Sequence, residues 1–378
     1  SVDESNVIKL KGWFTKDPNR TFEDVTYEKQ GIWNPSPTKP SSGNGAGALP
    51  KTPPNLIKKA IPDNREKINK SYTKEFSRYL DEYRHAEPPT KKAMWIKRIK
   101  AAENILMKAK NADEVTQWLL GIYHESYSFA KGRILRVIGA LSPYLSNSVK
   151  GTVFDACCRE CNNLLFISAK PGLINDLIQP AIACIYQCNH PHAVAQIEMM
   201  LKQPSLKDLY ALLFIAYGKI APTDRGLEFI RAHMNRYVSL TKTHQVINFY
   251  WMLGKIGSRE CALTGSAVDT TPFLATILRN LPEAKHVDVV CKMLYALAEL
   301  SDQRNPSTPR LSSEMAEQAL GIIGGIRKER FLRQYANPAH RAQLVRFCEL
   351  ARKMIQGLQL TNDEAAMLME SRAMLVEV

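Results

Sequence analysis

The chain has 378 residues, 45% hydrophobic and 23% charged, which is the composition of a folded protein and excludes a disordered one. Its 51 Lys and Arg outnumber 37 Asp and Glu, and the formal charge of +14 points to a polyanionic partner: RNA, DNA, an anionic membrane surface or an acidic protein. No apolar run reaches the roughly 18 residues of a transmembrane helix, and eight cysteines scattered along the chain do not form the dense framework of a secreted disulfide scaffold.

Residues 1–57 read as an extended arm. The stretch from Asn34 to Gly45 and the run Pro50-Lys51-Thr52-Pro53-Pro54 cannot sustain helix or sheet. Trp13, Phe14 and Trp33 are interspersed among these breakers. An arm of this kind orders against something else, or it is a linker with incidental aromatics.

Residues 58–111 read as a basic helical entry segment. Ile68, Tyr72, Phe76 and Leu80 recur every four residues and predict one buried stripe, with Tyr79 and Tyr83 beside it. Pro88-Pro89 breaks the chain. The next helix carries Met94, Ile96, Ile99, Ala102, Ile105 and Leu106 as its expected inward stripe. Residues 51–110 hold 16 Lys/Arg and 7 Asp/Glu, so most of the basic excess lies here. Lys91, Lys92, Lys97, Arg98 and Lys100 fall within ten residues and are candidate phosphate contacts; the other reading is a solvated helix face.

Residues 112–356 alternate helix, short break, helix. Ser142-Pro143, Pro171-Gly172, His190-Pro191, Pro204-Ser205, Pro222, Pro272 and Pro306 mark breaks, and period-two strand runs are absent. One helix ends Gly218-Lys219-Ile220. A second ends Gly254-Lys255-Ile256 after 36 residues, and a looser third ends Ala298-Glu299-Leu300 after a further 44. Such periods are those of paired-helix repeats, and the expected fold is an all-α solenoid of the ARM/HEAT kind. Residues 357–378 read as an acidic C-terminal helix.

The repeat helices resemble the heptatricopeptide-like repeats of the FAST-kinase-like and RAP-domain family of organellar RNA-binding proteins. The resemblance rests on Leu212-Leu213 leading through apolar and aromatic residues to Gly218-Lys219-Ile220, and on the matching run from Val246 to Gly257. It spans about residues 205–300, with Glu299 where the other copies carry Lys; no C-terminal RAP module is recognisable. It implies a helical-repeat RNA binder of the mitochondrial matrix, the alternative location being the cytoplasm.

No phosphate-binding loop, nucleophile elbow or His-Glu-x-x-His motif is present, so no catalytic residue and no cofactor is assigned. Cys158, Cys161, Cys188 and His190 have spacings that zinc could use; the competing reading, core thiols at helical spacing, is preferred. Arg327, Lys328, Arg330 and Arg333, followed by Arg341, Arg346, Arg352 and Lys353, form a second basic stretch. With Phe331 and Tyr335 interleaved it suits RNA, or it is an amphipathic surface helix.

The expectation is therefore a structural, RNA-contacting subunit of a mitochondrial ribonucleoprotein such as the mitoribosome, with neighbouring protein subunits as further partners. The alternatives are a viral nucleoprotein that coats single-stranded RNA and a protein scaffold of the ARM/HEAT kind.

Overall fold

Helix-breaking residues partition the chain before any packing does. Pro88-Pro89 separates α1 (Lys70–His85) from α2 (Pro89–Leu106), with Pro89 at the first helical position, where its missing N–H costs nothing. The structure, a computed structural model, describes residues 65–163, 170–258, 268–306, 308–328 and 332–373. The arm expected over residues 1–57, and Cys261, Arg330 and Phe331, lie outside the described residues.

After α2 come α3 (Ala112–Tyr123), α4 (Ser128–Leu141), α5 (Asn147–Asn163), α6 (Gln179–Cys188), α7 (Ala193–Leu201) and α8 (Tyr210–Ile220). Then follow α9 (Thr223–Val238), α10 (Thr243–Gly257), α11 (Thr271–Asn280) and α12 (Val287–Leu300). The last three are α13 (Ser313–Ile326), α14 (Pro338–Ile355) and α15 (Asn362–Ala373). A π-helical turn over Ile174–Ile178 leads into α6. Among the described residues there is no strand beyond one isolated bridge, Glu66 to Ala109, so the protein is all-α. No helix among these residues is long and apolar enough to cross a membrane.

Glu66–Ala373 forms one unit, and its helices take two roles. α4, α6, α8, α10, α12 and α14 pack each against the next in that order. Between them in the chain, α5, α7, α9, α11 and α13 each pack on the central helix that follows. Sequence explains the division. α6 is buried from Gln179 through Tyr186 and α12 is buried nearly all round, as apolar residues on every face require. By contrast α9 buries Thr223, Gly226, Leu227, Phe229, Ile230 and Tyr237 and leaves Arg225, Glu228, Arg231, Ala232, Asn235 and Arg236 exposed.

One contact register recurs between successive central helices. A Cβ on Gly218 would lie 2.7 Å from the Trp251 ring, and one on Gly254 would lie 2.5 Å from the Tyr295 ring. Trp251 precedes Gly254 by three residues, and Tyr295 precedes Ala298 by three. α10 thus sets the Trp251 ring on Gly218 of α8 and, one turn on, offers its own Gly254 to the Tyr295 ring of α12. Between α8, α9 and α10, Tyr210, Phe214, Tyr237 and Phe249 form an aromatic cluster with ring centroids 5.2–5.8 Å apart.

α15 returns to the central helices. The Trp251 Nε1–H donates to the Ser371 carbonyl at 2.9 Å, and Arg372 forks onto buried Glu299 at 2.6 and 2.9 Å. Glu299, the exception in the Gly-Lys-Ile pattern, is therefore the acid that receives the C-terminal helix.

The glycine register has a direct test. Gly254→Ala places a methyl against the Tyr295 ring and 3.0 Å from the Ala296 Cα; we expect a destabilisation of about 1–3 kcal/mol from overpacking. Gly321→Ala in α13 meets open space, and there helix propensity should add up to about 1 kcal/mol of stability. Equal thermal midpoints for the two variants would contradict the close approach.

Candidate nucleic-acid interface

α2 buries Ile99, Glu103 and Leu106, which share one face at steps of four and three. The inward stripe expected from sequence is only partly realised: Met94 and Ile105 are 41% and 42% exposed. The helical turn explains this, since at about 100° per residue Met94 and Ile105 project well away from the Ile99–Leu106 face. The same drift acts on α1. Steps of four advance about 40° each around a helix, so Phe76 and Leu80 are buried whereas Tyr72 is 42% exposed and Thr73 takes its place inside.

Glu103 is the only carboxylate in α2. It is fully buried and forms an ion pair with Arg133 of α4. Burial pushes its carboxyl above the ordinary range, while Arg133, Arg136 and Lys100 pull it back down. Lys91, Lys92, Lys97 and Arg98 are exposed, and Lys100 is half-buried on the Glu103 side. The solvent face of α2 therefore carries cations and no acid. Lys91 and Lys92 occupy the first turn, against the helix dipole, a misfit of about 0.3–1 kcal/mol per charge at most that also adds to the local positive potential.

Aromatic rings lie between these cations. The Arg98 guanidinium sits over the Trp95 ring at 4.6 Å. Tyr79 of α1 lies beside Trp95, with centroids 5.7 Å apart, and Arg78 stands over Tyr79 at 5.4 Å. The nearest acid is Glu75, which receives the Tyr79 hydroxyl and lies 3.6 Å from Arg78. Further along, Tyr83 stacks on Phe129 at 4.5 Å, and Phe129 continues to Tyr127 at 6.2 Å. Lys92 lies over Tyr83 at 5.9 Å and Arg84 over Tyr127 at 5.1 Å.

Backbone and side-chain bonds hold this surface in place. At the base of the α1–α2 hairpin the Glu66 N–H donates to the Lys108 carbonyl at 3.0 Å and the Lys110 N–H to the Glu66 carbonyl at 2.7 Å, and the Asn111 side chain brackets the Ile68 backbone with two more bonds. The Tyr127 hydroxyl donates to the Leu80 carbonyl at 2.8 Å, fixing the start of α4 to α1. Lys91, Trp95 and Arg98, at steps of four and three on one face, were the readable signal for this surface. The contributions of Arg78, Tyr79, Arg84, Tyr127 and Phe129 come from α1 and α4 and need the tertiary structure.

The second basic stretch is arranged differently. Arg327 pairs with Glu349 at 3.1 Å, Arg352 forks onto the same carboxylate, and Lys353 holds Glu364 at 2.8 Å. Tyr335 is 7% exposed and offers no stacking face. Lys328 and Arg333 are exposed, and Arg330 lies outside the described residues. Carboxylates hold Arg327, Arg352 and Lys353, while Lys328, Arg333 and Arg346 face solvent.

The four candidate zinc ligands are not gathered into a site. Cys158 and Cys161 lie three residues apart within the unbroken α5, without the turn that a zinc knuckle uses to converge its thiolates. His190 stacks on Phe154 at 4.3 Å. Among the described residues no three His, Cys, Asp or Glu side chains converge as a metal requires. Cys184 and Cys188 lie 3.9 Å apart within the core, and Cys157 reaches Cys184 from α5. Burial raises the thiols of Cys158, Cys291 and Cys348 to about 12 and that of Cys161 in the same direction. The bonds to Cys157 at Cys184 and to Cys184 at Cys188, with burial, raise those two; at Cys157 the bond to Cys184 lowers the thiol, but burial and the neighbouring thiols leave it raised.

The chain matches no model of a known family, no curated protein and no solved structure.

The buried thiols give a prediction. With iodoacetamide near neutral pH, the seven described cysteines should stay unmodified in the native protein and react in denaturant, read by intact mass. Rapid multiple labelling of the native protein would contradict their burial.

Proposed function

We propose that this chain is a structural, RNA-contacting helical-repeat subunit of a mitochondrial ribonucleoprotein, built as an α-solenoid and without a catalytic role. The observation that carries the reading is the face of the α1–α2 hairpin, where Lys91, Lys92, Lys97 and Arg98 are exposed beside the half-buried rings of Trp95, Tyr79 and Tyr83 while the one carboxylate of α2 is turned inward. Fixed positive charge attracts phosphates, and the rings offer flat apolar surface that phosphate binding alone does not need.

The solenoid part of the reading draws on two features: central helices packed each on the next, and the ring-on-glycine register repeated from Gly218 to Gly254. The mitochondrial part draws on the resemblance of the Gly-Lys-Ile helices to organellar RNA-binding repeats. The absence of a recognisable catalytic motif in the sequence motivates the structural role.

The test is sedimentation of the tagged protein from a gentle host lysate, with and without ribonuclease. The expected result is migration with a large organellar RNA peak that collapses after ribonuclease treatment. Migration as a small particle indifferent to ribonuclease would contradict the proposal and favour a protein scaffold.

A further inference from the structure

The half-buried rings of Tyr79 and Trp95 on the α1–α2 hairpin narrow the class of RNA, resting on the reading that this face meets RNA. We infer that Tyr79, Trp95 and Arg98 bind unpaired nucleotides, with bases stacked against the rings and phosphates held by Lys91, Lys92 and Lys97, and that this face does not serve duplex RNA. A duplex hides the faces of its bases and presents phosphate and 2′-hydroxyl groups, so a surface made for it needs cations and polar groups only. This hairpin instead keeps apolar area in water: Tyr72 of α1 and Met94 and Ile105 of α2 are 41–42% exposed, and the Trp95 and Tyr79 rings are only partly covered. Splayed bases supply both complements at once, a π-face for each ring and a phosphate for each cation.

The cations are also placed for stacking. Arg98 lies 4.6 Å above the Trp95 ring and Arg78 lies 5.4 Å above Tyr79, so guanidinium planes and rings together make flat platforms. A base can extend such a stack or take the place of a guanidinium, which then turns to the phosphate. From Lys91 to Ile105 the face runs roughly 21 Å at 1.5 Å per residue, long enough for several nucleotides. An acidic amphipathic peptide is the competing occupant. It would match the charge, but it has no need of cations seated over ring faces.

The experiment measures binding of the full chain by fluorescence anisotropy, using labelled oligouridylate of about ten nucleotides, an RNA duplex of equal length, and polyglutamate as competitor. The wild type should favour the single strand. Trp95→Leu should weaken single-strand binding about tenfold or more, as loss of one stacking platform does, and should leave the weaker duplex binding unchanged. Trp95→Phe, which keeps a ring, should restore most of the affinity, and the matched thermal midpoints of the three proteins check that all are folded.

Equal affinity for both RNAs, with Trp95→Leu inert, would overturn this inference and leave RNA contact standing. No salt-dependent binding of either RNA would overturn the underlying reading as well. Displacement by polyglutamate as effective as that by unlabelled oligouridylate, with Trp95→Leu inert, would assign the face to an acidic protein.

Discussion

Burial of Glu103 against Arg133 organises the surface on which the functional reading depends. The pair ties α2 to α4 and removes the one carboxylate of α2 from water. Removing either partner would leave an uncompensated charge inside, a loss of about 3–5 kcal/mol in comparable cases. With the acid inside, the outer face of α2 is cationic by construction. Lys91, Lys92, Lys97 and Arg98 share that outer face with no carboxylate of α2, unlike Arg327, Arg352 and Lys353 further along, which neighbouring carboxylates hold. Two basic stretches of similar composition therefore differ in the charge they offer a partner.

The rest of the unit carries that face on a row of closely packed helices. Glycine at 218 and 254 lets a ring of the following helix approach, and the same step is repeated in register. Buried acids join more distant elements: Glu198 takes Arg225 and the Tyr217 hydroxyl, and Glu299 takes Arg372 of α15. Each such acid is matched by a guanidinium fork, the geometry that makes a buried carboxylate tolerable.

Much of the helical architecture was legible in the sequence because it is written locally. Prolines mark helix starts, all-round apolar runs mark the central helices, and the recurring Gly-Lys-Ile endings mark successive members of the row. The orientation of α2 was not legible. Met94, Ile96, Ile99, Ala102, Ile105 and Leu106 spread around the helix, so no single stripe identifies the inward face, and the decisive constraint is the long-range pair of Glu103 with Arg133. Tyr72 shows the same limit, since a four-residue step drifts off the face it starts on. The basic residues of α2 could be named from sequence, but the Tyr83 ring under Lys92, and the Tyr79, Tyr127 and Phe129 rings that extend the surface, come from outside α2. In the second stretch the carboxylate partners of Arg327, Arg352 and Lys353, Glu349 and Glu364, likewise become visible only in the tertiary structure.

The central claim is that RNA touches the outer face of the α1–α2 hairpin, and ultraviolet crosslinking of the native complex followed by peptide mass spectrometry tests it most directly. The account predicts nucleotide adducts on peptides from α1 and α2, with Tyr79 and Trp95 among the modified residues. Adducts confined to the α13–α14 region or to the central helices, with α1 and α2 unmodified, would contradict it.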